Sequence, residues 1–197
     1  SGAESDLEVQ NQVVIDHADE GLITGDADLD LKQGLRISAG EVTSTAGTVS
    51  INGASSLSNG TLSVFSGTLA LGGSFEKNGG HFSLSDSALR LLDNLTWTSD
   101  SLLELPELDL DNYSLTLGSD SSDLKVNNDL IMDHDNEKLI SGNADLEFSG
   151  MLSISEGEIS STGGSISMSK SLSLSGGTLS ISSGTFSLGG VFNKNGG

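Results

Sequence analysis

From Leu146 onward the chain reads LEFSGM, LSISEGE, ISSTGGS, ISMSKS, LSLSGGT, LSISSGT, FSLGGV and FNKNGG. Each segment opens apolar–polar–apolar or nearly so, then closes on a few Gly, Ser, Asn, Asp or Thr residues. An alternating opening predicts a short strand with one face buried. The closing residues predict a turn: Gly tolerates positive φ, and Asn or Asp side chains bond to nearby backbone. No stretch keeps apolar residues at helical spacing of three and four, so essentially no helix is predicted. The single proline, Pro106, falls between LLEL and ELDLDN, where a missing N–H does least harm.

Segments this short do not suit a β-sandwich, whose turn signals recur every ~8–12 residues. They suit a three-sided coil of about 20 residues, one short strand to a side. One coil cannot bury its own apolar side chains. Stacked coils share a continuous core and pair each strand in parallel with neighbours roughly 4.8 Å above and below. The predicted fold is therefore all-β, a single-stranded right-handed parallel β-helix (a β-solenoid). Counting from Leu7 gives 28 segments, hence roughly nine coils and an axial length on the order of 45 Å.

A larger repeat contains the small one. Residues 7–80 align without a gap on residues 124–197, at an offset of 117, with 39 of 74 positions identical. LEVQNQVVIDHADEGLITGDADLDL matches LKVNNDLIMDHDNEKLISGNADLEF. The predicted organisation is one continuous solenoid over 1–197, with a first unit at 7–123 and a truncated second unit at 124–197. Ser5 and Asp6 already match Ser122 and Asp123, so the chain is expected to be a window on a longer array. A unit parses into 17 segments, which three does not divide. The long runs at 115–123 and 130–138 leave room for an eighteenth, which would keep the copies in phase. Otherwise each copy is rotated by one face. In-phase stacking is favoured, because it keeps every side-chain ladder intact.

Runs such as GGTLSISSGTFSLGG resemble the right-handed parallel β-helices of filamentous-haemagglutinin-type adhesins, autotransporter passengers and giant repetitive bacterial surface proteins. The resemblance covers nearly the whole chain. It implies an extracellular or cell-surface, secreted structural shaft used for reach, adhesion or self-association, with a glycan or host surface as a possible partner. The family pattern is structural, so no functional residue is carried across.

Composition narrows the function further. The chain has 28 acidic and 8 basic residues, a formal net charge of −20, no Cys, one Trp and one Tyr. Such charge and so few aromatics would favour disorder, yet the aliphatic rhythm runs to the last segment and argues for a folded, thin core. The charge repels nucleic acid and anionic membrane. No apolar run approaches the ~18–20 residues that span a bilayer, so no membrane insertion by this segment is expected. Disulfides contribute nothing.

The acidic stretch at 26–30 is the strongest candidate site. Asp26, Asp28 and Asp30 alternate with Ala27 and Leu29, which predicts carboxylates on one outward face. Their repeat counterparts Asn143, Asp145 and Glu147 also carry oxygen. Calcium takes six to eight oxygen ligands, so calcium is the one cofactor considered; the competing reading is a solvated face. Glu107, Asp109 and Asp111 read the same way, more weakly. His17 and His134 occupy matching places in VIDHADE and IMDHDNE. A His beside Asp serves as metal ligand or general base, but with no second His or Cys nearby the reading is a turn residue. Polysaccharide lyases and hydrolases use this architecture, but Arg36 matches Ser153, and Trp97 has the parity of a core residue. No catalytic residue is assigned, and the chain is expected not to be an enzyme. Outward serines in LSISEGE, ISMSKS and LSLSGGT leave a hydroxyl-array surface binder as a further alternative.

Overall fold

A computed structural model describes residues 6–197. Among these residues there are 24 strands and no helix. Two strands, Thr61–Lys77 and His81–Ser99, run round corners and supply three rungs each. Counted by rung, the described residues hold 28, in agreement with the segments read from Leu7 onward in the sequence. Every pairing is parallel, and successive partners lie about one coil apart, as in Leu29↔Val49, Ile37↔Leu57 and Val42↔Leu62. The protein is a parallel β-solenoid of about nine coils with roughly three strands each.

Three faces follow from the pairing. The first begins Leu7–Val9, Leu29–Leu31, Thr48–Ile51, continues at 68–71 and 88–91, and reaches Glu107–Asp109. The second begins Val13–Ile15, Leu35–Ile37 and Ser55–Leu57. The third begins Gly21–Gly25 and Glu41–Ser44. Alternation on each rung does what the sequence predicts. Leu29, Leu31, Leu35, Ile37, Val49, Ile51, Leu69 and Leu89 are all at most 1% exposed, while Arg36 and Glu76 between them face water. Each buried aliphatic side chain contributes about 1.5–3 kcal/mol. It stacks on its register partner in the next coil, so the core is one column.

The copies do not stack in phase. Leu7–Val9 opens the first face, but its counterpart Leu124–Val126 pairs with Leu103–Leu105 and Leu146–Phe148 on the third. Likewise Gly21–Gly25 lies on the third face, whereas its counterpart Lys138–Gly142 pairs with Ser114–Leu117 on the second. A unit holds 17 rungs, and the second copy is rotated by one face. Neither long run hides a strand. Residues 119–122 form a turn closed by Ser122 N–H to Ser119 O at 3.1 Å, and the Ser122 hydroxyl donates to Ser99 O at 3.0 Å. Residues 133–137 form another, closed by Glu137 N–H to His134 O at 3.1 Å. Rotation is tolerated because all three faces bury the same aliphatic types: Leu115 sits under Leu139 and Leu105 under Val126.

Among the described residues one face alone keeps its ladder from end to end. The second runs unbroken from 95–99 through Ser114–Leu117, Lys138–Gly142 and Glu158–Ser161 to Thr178–Ile181. On the third, 81–84 pairs with 61–64 below but no ladder joins it to Leu103–Leu105 above. On the first, Glu107–Asp109 and Leu130–Met132 are likewise not laddered to each other. Both breaks touch residues 81–123, the stretch with no counterpart in the second copy.

Candidate functional site

The acidic stretch at 26–30 is a corner rather than a strand face. Asp26 lies in the turn after Gly21–Gly25, and only Asp30 falls within Leu29–Leu31. Period-two alternation therefore does not put the three carboxylates side by side. Each group has its own protein partner. Asp26 Oδ1 accepts from the Thr45 hydroxyl at 3.1 Å, and Asp28 Oδ1 accepts the Thr48 N–H at 2.6 Å. Asp30 pairs with Lys32. The second copy repeats the arrangement: Asn143 Oδ1 accepts from Thr162 at 3.2 Å, Asp145 Oδ1 accepts the Ser165 N–H at 2.7 Å, and Glu147 lies 4.0 Å from Lys125 Nζ.

These carboxylates are rungs of the ladder. At the corner, where backbone pairing lapses, a side-chain oxygen takes the N–H of the next coil. Asp6 Oδ1 accepts the Asp28 N–H at 3.2 Å, and Asp123 Oδ1 accepts the Asp145 N–H at 2.8 Å. Asp6–Asp28–Thr48 is thus repeated residue for residue by Asp123–Asp145–Ser165. This gives Asp28 and Asp145 a structural reason to match between copies. The change Asp145→Ala is expected to cost about 1 kcal/mol, the usual worth of one such bond. Faster amide exchange at Ser165, with that of Ile166 little changed, is the readout; an unaltered Ser165 amide would show that the bond carries nothing.

The run around Leu108 and Leu110 is likewise committed. Arg90 on the rung below donates to Asp111 Oδ2 from Nη2 at 2.6 Å and from Nε at 3.0 Å, with Asp109 Oδ2 3.7 Å from Nε. The two aspartates raise the Arg90 pKa above its ordinary value, chiefly through the Asp111 hydrogen bond.

Three-ligand clusters do form at the histidines. Asp16, His17 and Glu20, and separately Asp133, His134 and Glu137, each bring one ligand atom apiece within 4.8 Å of one another. His17 Nδ1 is 2.7 Å from Asp16 Oδ1, and His134 Nδ1 is 2.8 Å from Asp133 Oδ1. The glutamate organises the turn. Glu137 Oε2 accepts the backbone N–H groups of Asp133 at 2.7 Å and His134 at 3.2 Å; Glu20 does the same for Asp16 and His17 at 2.8 and 3.2 Å. Glu137 is 3% exposed, and the Asn112 N–H approaches its Oε1 at 3.4 Å. The repeated DHxxE signature is therefore a self-capped turn with an exposed imidazole. Because the copies are rotated, the two turns project from different corners of the solenoid.

Arg36 is exposed on the strand Leu35–Ile37. Trp97 is fully buried, stacked on Phe75 at 4.6 Å and 2° and set edge-on to Phe82 at 5.0 Å. Outward hydroxyl rows exist but are short, two or three residues deep, as in Ser74–Thr96–Thr116, Ser160–Ser180 and Ser167–Ser187.

The sequence reading missed a cleft. Where the third-face ladder breaks, a space of about 380 Å³ opens between 82–85 and 102–106, walled by Phe82, Leu84, Trp97, Leu103 and Pro106. Its polar groups include Lys77, Glu104 and Asn127. Lys125, at 3.0 Å, and Asn127 bond to Glu104 and hold its carboxyl below the usual range. No signal in the alternating pattern marks a rung that fails to pair. Comparisons with family models, with curated proteins and with solved structures found no match.

Proposed function

We propose that this chain is a structural, adhesive shaft segment of a long repetitive protein, of the kind found at a bacterial cell surface or secreted from it. The observation that carries the reading is the junction between the copies: the second-face ladder passes from one unit to the next without a gap. A unit that joins its successor through backbone pairing and shared core extends by simple repetition. With 17 rungs to a unit, each added unit lengthens the shaft by about 27 Å and turns it by one face. Any outward feature of the unit, the DHxxE turn included, therefore appears on successive sides and returns after three units. This suits a fibre that presents itself in all directions, through many weak contacts, better than a single catalytic groove. Many outward groups are water-facing serines, several of the carboxylates are engaged in rungs or ion pairs, and no catalytic role is assigned to any of them.

The exposed apolar side chains of the outermost coils favour association with further coils, from the same chain or another. Phe186, Val191 and Phe192 are 42%, 61% and 50% exposed, and open strand edges invite pairing. The test uses concatenated copies of residues 7–123. Small-angle scattering is expected to give a constant cross-section and a length growing by about 27 Å per unit; a flexible-chain profile would overturn the shaft. On the chain itself, light scattering is expected to detect end-to-end dimers that Phe186→Lys with Phe192→Lys abolishes. A strict monomer at all concentrations would remove self-association.

A further inference from the structure

We propose that the repeated DHxxE turn is a binding site for a divalent transition-metal ion of the zinc class, built once in each repeat unit. Each turn brings together one imidazole nitrogen and two carboxylate oxygens, from Asp16, His17 and Glu20 in the first copy and from Asp133, His134 and Glu137 in the second. An imidazole ligand suits zinc, nickel or copper, whereas calcium and magnesium take oxygen. Zinc lies about 2.0–2.2 Å from its nitrogen and oxygen ligands, which sets those atoms roughly 3–3.5 Å from one another. His Nδ1 to Glu Oε1 is 3.7 Å in the first copy and 3.5 Å in the second. The distance to Asp Oδ1 is 2.7 and 2.8 Å. An entering ion has only to part the Asp–His contact slightly, and both side chains there are exposed. The glutamate is fixed in advance. Its Oε2 takes the two backbone N–H groups, which leaves Oε1 turned toward the imidazole. Anchoring a carboxylate by hydrogen bonds in this way is how proteins support a metal ligand from outside the first shell of atoms.

Two further observations separate a site from a turn. The cap needs only the glutamate and the backbone, so the imidazole contributes nothing to it. Among the described residues Nδ1 meets only the Asp and Glu of its own turn, and the histidine side chains are 78% and 55% exposed. The geometry also survives a change of surroundings. The two turns precede strands on different faces, Gly21–Gly25 on the third and Lys138–Gly142 on the second. Glu20 is half exposed and Glu137 is buried. Ala18, Asp19 and Gly21 are replaced by Asp135, Asn136 and Lys138. The same three ligand atoms converge in both copies nonetheless. The turn itself builds the site, whatever packs beside it. Three protein ligands leave the remaining coordination to water.

Zinc chloride titrated calorimetrically into the whole chain is expected to show two bound ions per chain. His17→Gln and His134→Gln should each remove one ion and the double variant both, with the metal-free melting temperature unchanged. His81→Gln, at a histidine outside both clusters, should leave both sites intact. Glu137→Gln separates ligand from cap, because the amide oxygen can still take the two N–H groups while its nitrogen faces the imidazole. It is expected to weaken the second site at least tenfold with little change in melting. Cobalt bound in place of zinc should show visible d–d absorption that the double histidine variant lacks. No saturable heat with millimolar zinc would overturn the proposal. Two ions still held by the double histidine variant would overturn it too, since scattered carboxylates would then be the ligands. Equal binding of calcium would overturn the transition-metal assignment. One ion per chain would overturn a site built by the turn alone.

Discussion

Replacing Trp97 by Ala is expected to lower stability by about 3–5 kcal/mol, the cost of emptying a large buried aromatic site. Replacing Phe192 by Ala should cost less than about 1 kcal/mol. The contrast is informative because Phe192 is the repeat counterpart of Phe75, the residue on which Trp97 stacks. Phe75 is 1% exposed and Phe192 50%. The same unit position therefore carries different energy according to whether a coil lies on top of it. Trp97 fills the space between Phe75 and Phe82 in the coil below, and that space is bounded by backbone ladders that do not collapse inward. Removing the indole strips a stacked ring pair and an edge contact together, each worth about 0.5–1.5 kcal/mol beyond area burial. Urea unfolding followed by far-UV circular dichroism measures both variants. Equal losses would mean that position within the unit, and not coverage by the next coil, sets the energy.

The alternating pattern made the rungs and the three-sided coil legible, because a strand with one buried face leaves a period-two record in the side chains it needs. The burial of Trp97 was readable for the same reason. Three things were not. The phase of the copies depended on whether 115–123 and 130–138 contain strands. Both runs carry alternating apolar residues only at their beginnings, and the rest is held by Ser119, Ser122 and Glu137 bonding to backbone. The reasoning that ladders prefer to stay in phase failed because Leu, Ile and Val are interchangeable between faces. The carboxylates at 26–30 looked like a site because their role is to replace a backbone bond at a corner, and that role depends on residues 19–22 positions away. The cleft left no trace at all, since 81–84 and 103–105 have ordinary strand sequences although no ladder joins them.

Corners decide how tightly coils stack, and Gly67 is one of the glycines where that limit is sharp. The change Gly67→Ala is expected to cost about 3 kcal/mol or more, against about 1 kcal/mol for Gly25→Ala. Both residues have positive φ, +127° at Gly67 and +61° at Gly25. At Gly25 an added Cβ meets nothing within 4 Å, so the penalty is the left-handed backbone alone. At Gly67 the Cβ would lie 2.2 Å from the carbonyl oxygen of Gly47 in the coil below. That oxygen is fixed, because it accepts the Thr68 N–H at 3.1 Å. Relief requires the corner to lift, which opens the pairing of 68–71 with Thr48–Ile51 and reaches Leu69 and Leu71 in the core. The second copy builds the same corner from Gly184 over Gly164, with the Cβ position 2.2 Å from the Gly164 oxygen. Gly184→Ala, in the outermost coils, has fewer rungs above it to disturb. Its cost should fall between the other two, and a thermal-melting series of the three single variants gives the order. If Gly67→Ala melts no lower than Gly25→Ala, the coils are held apart by something other than backbone contact at these glycines.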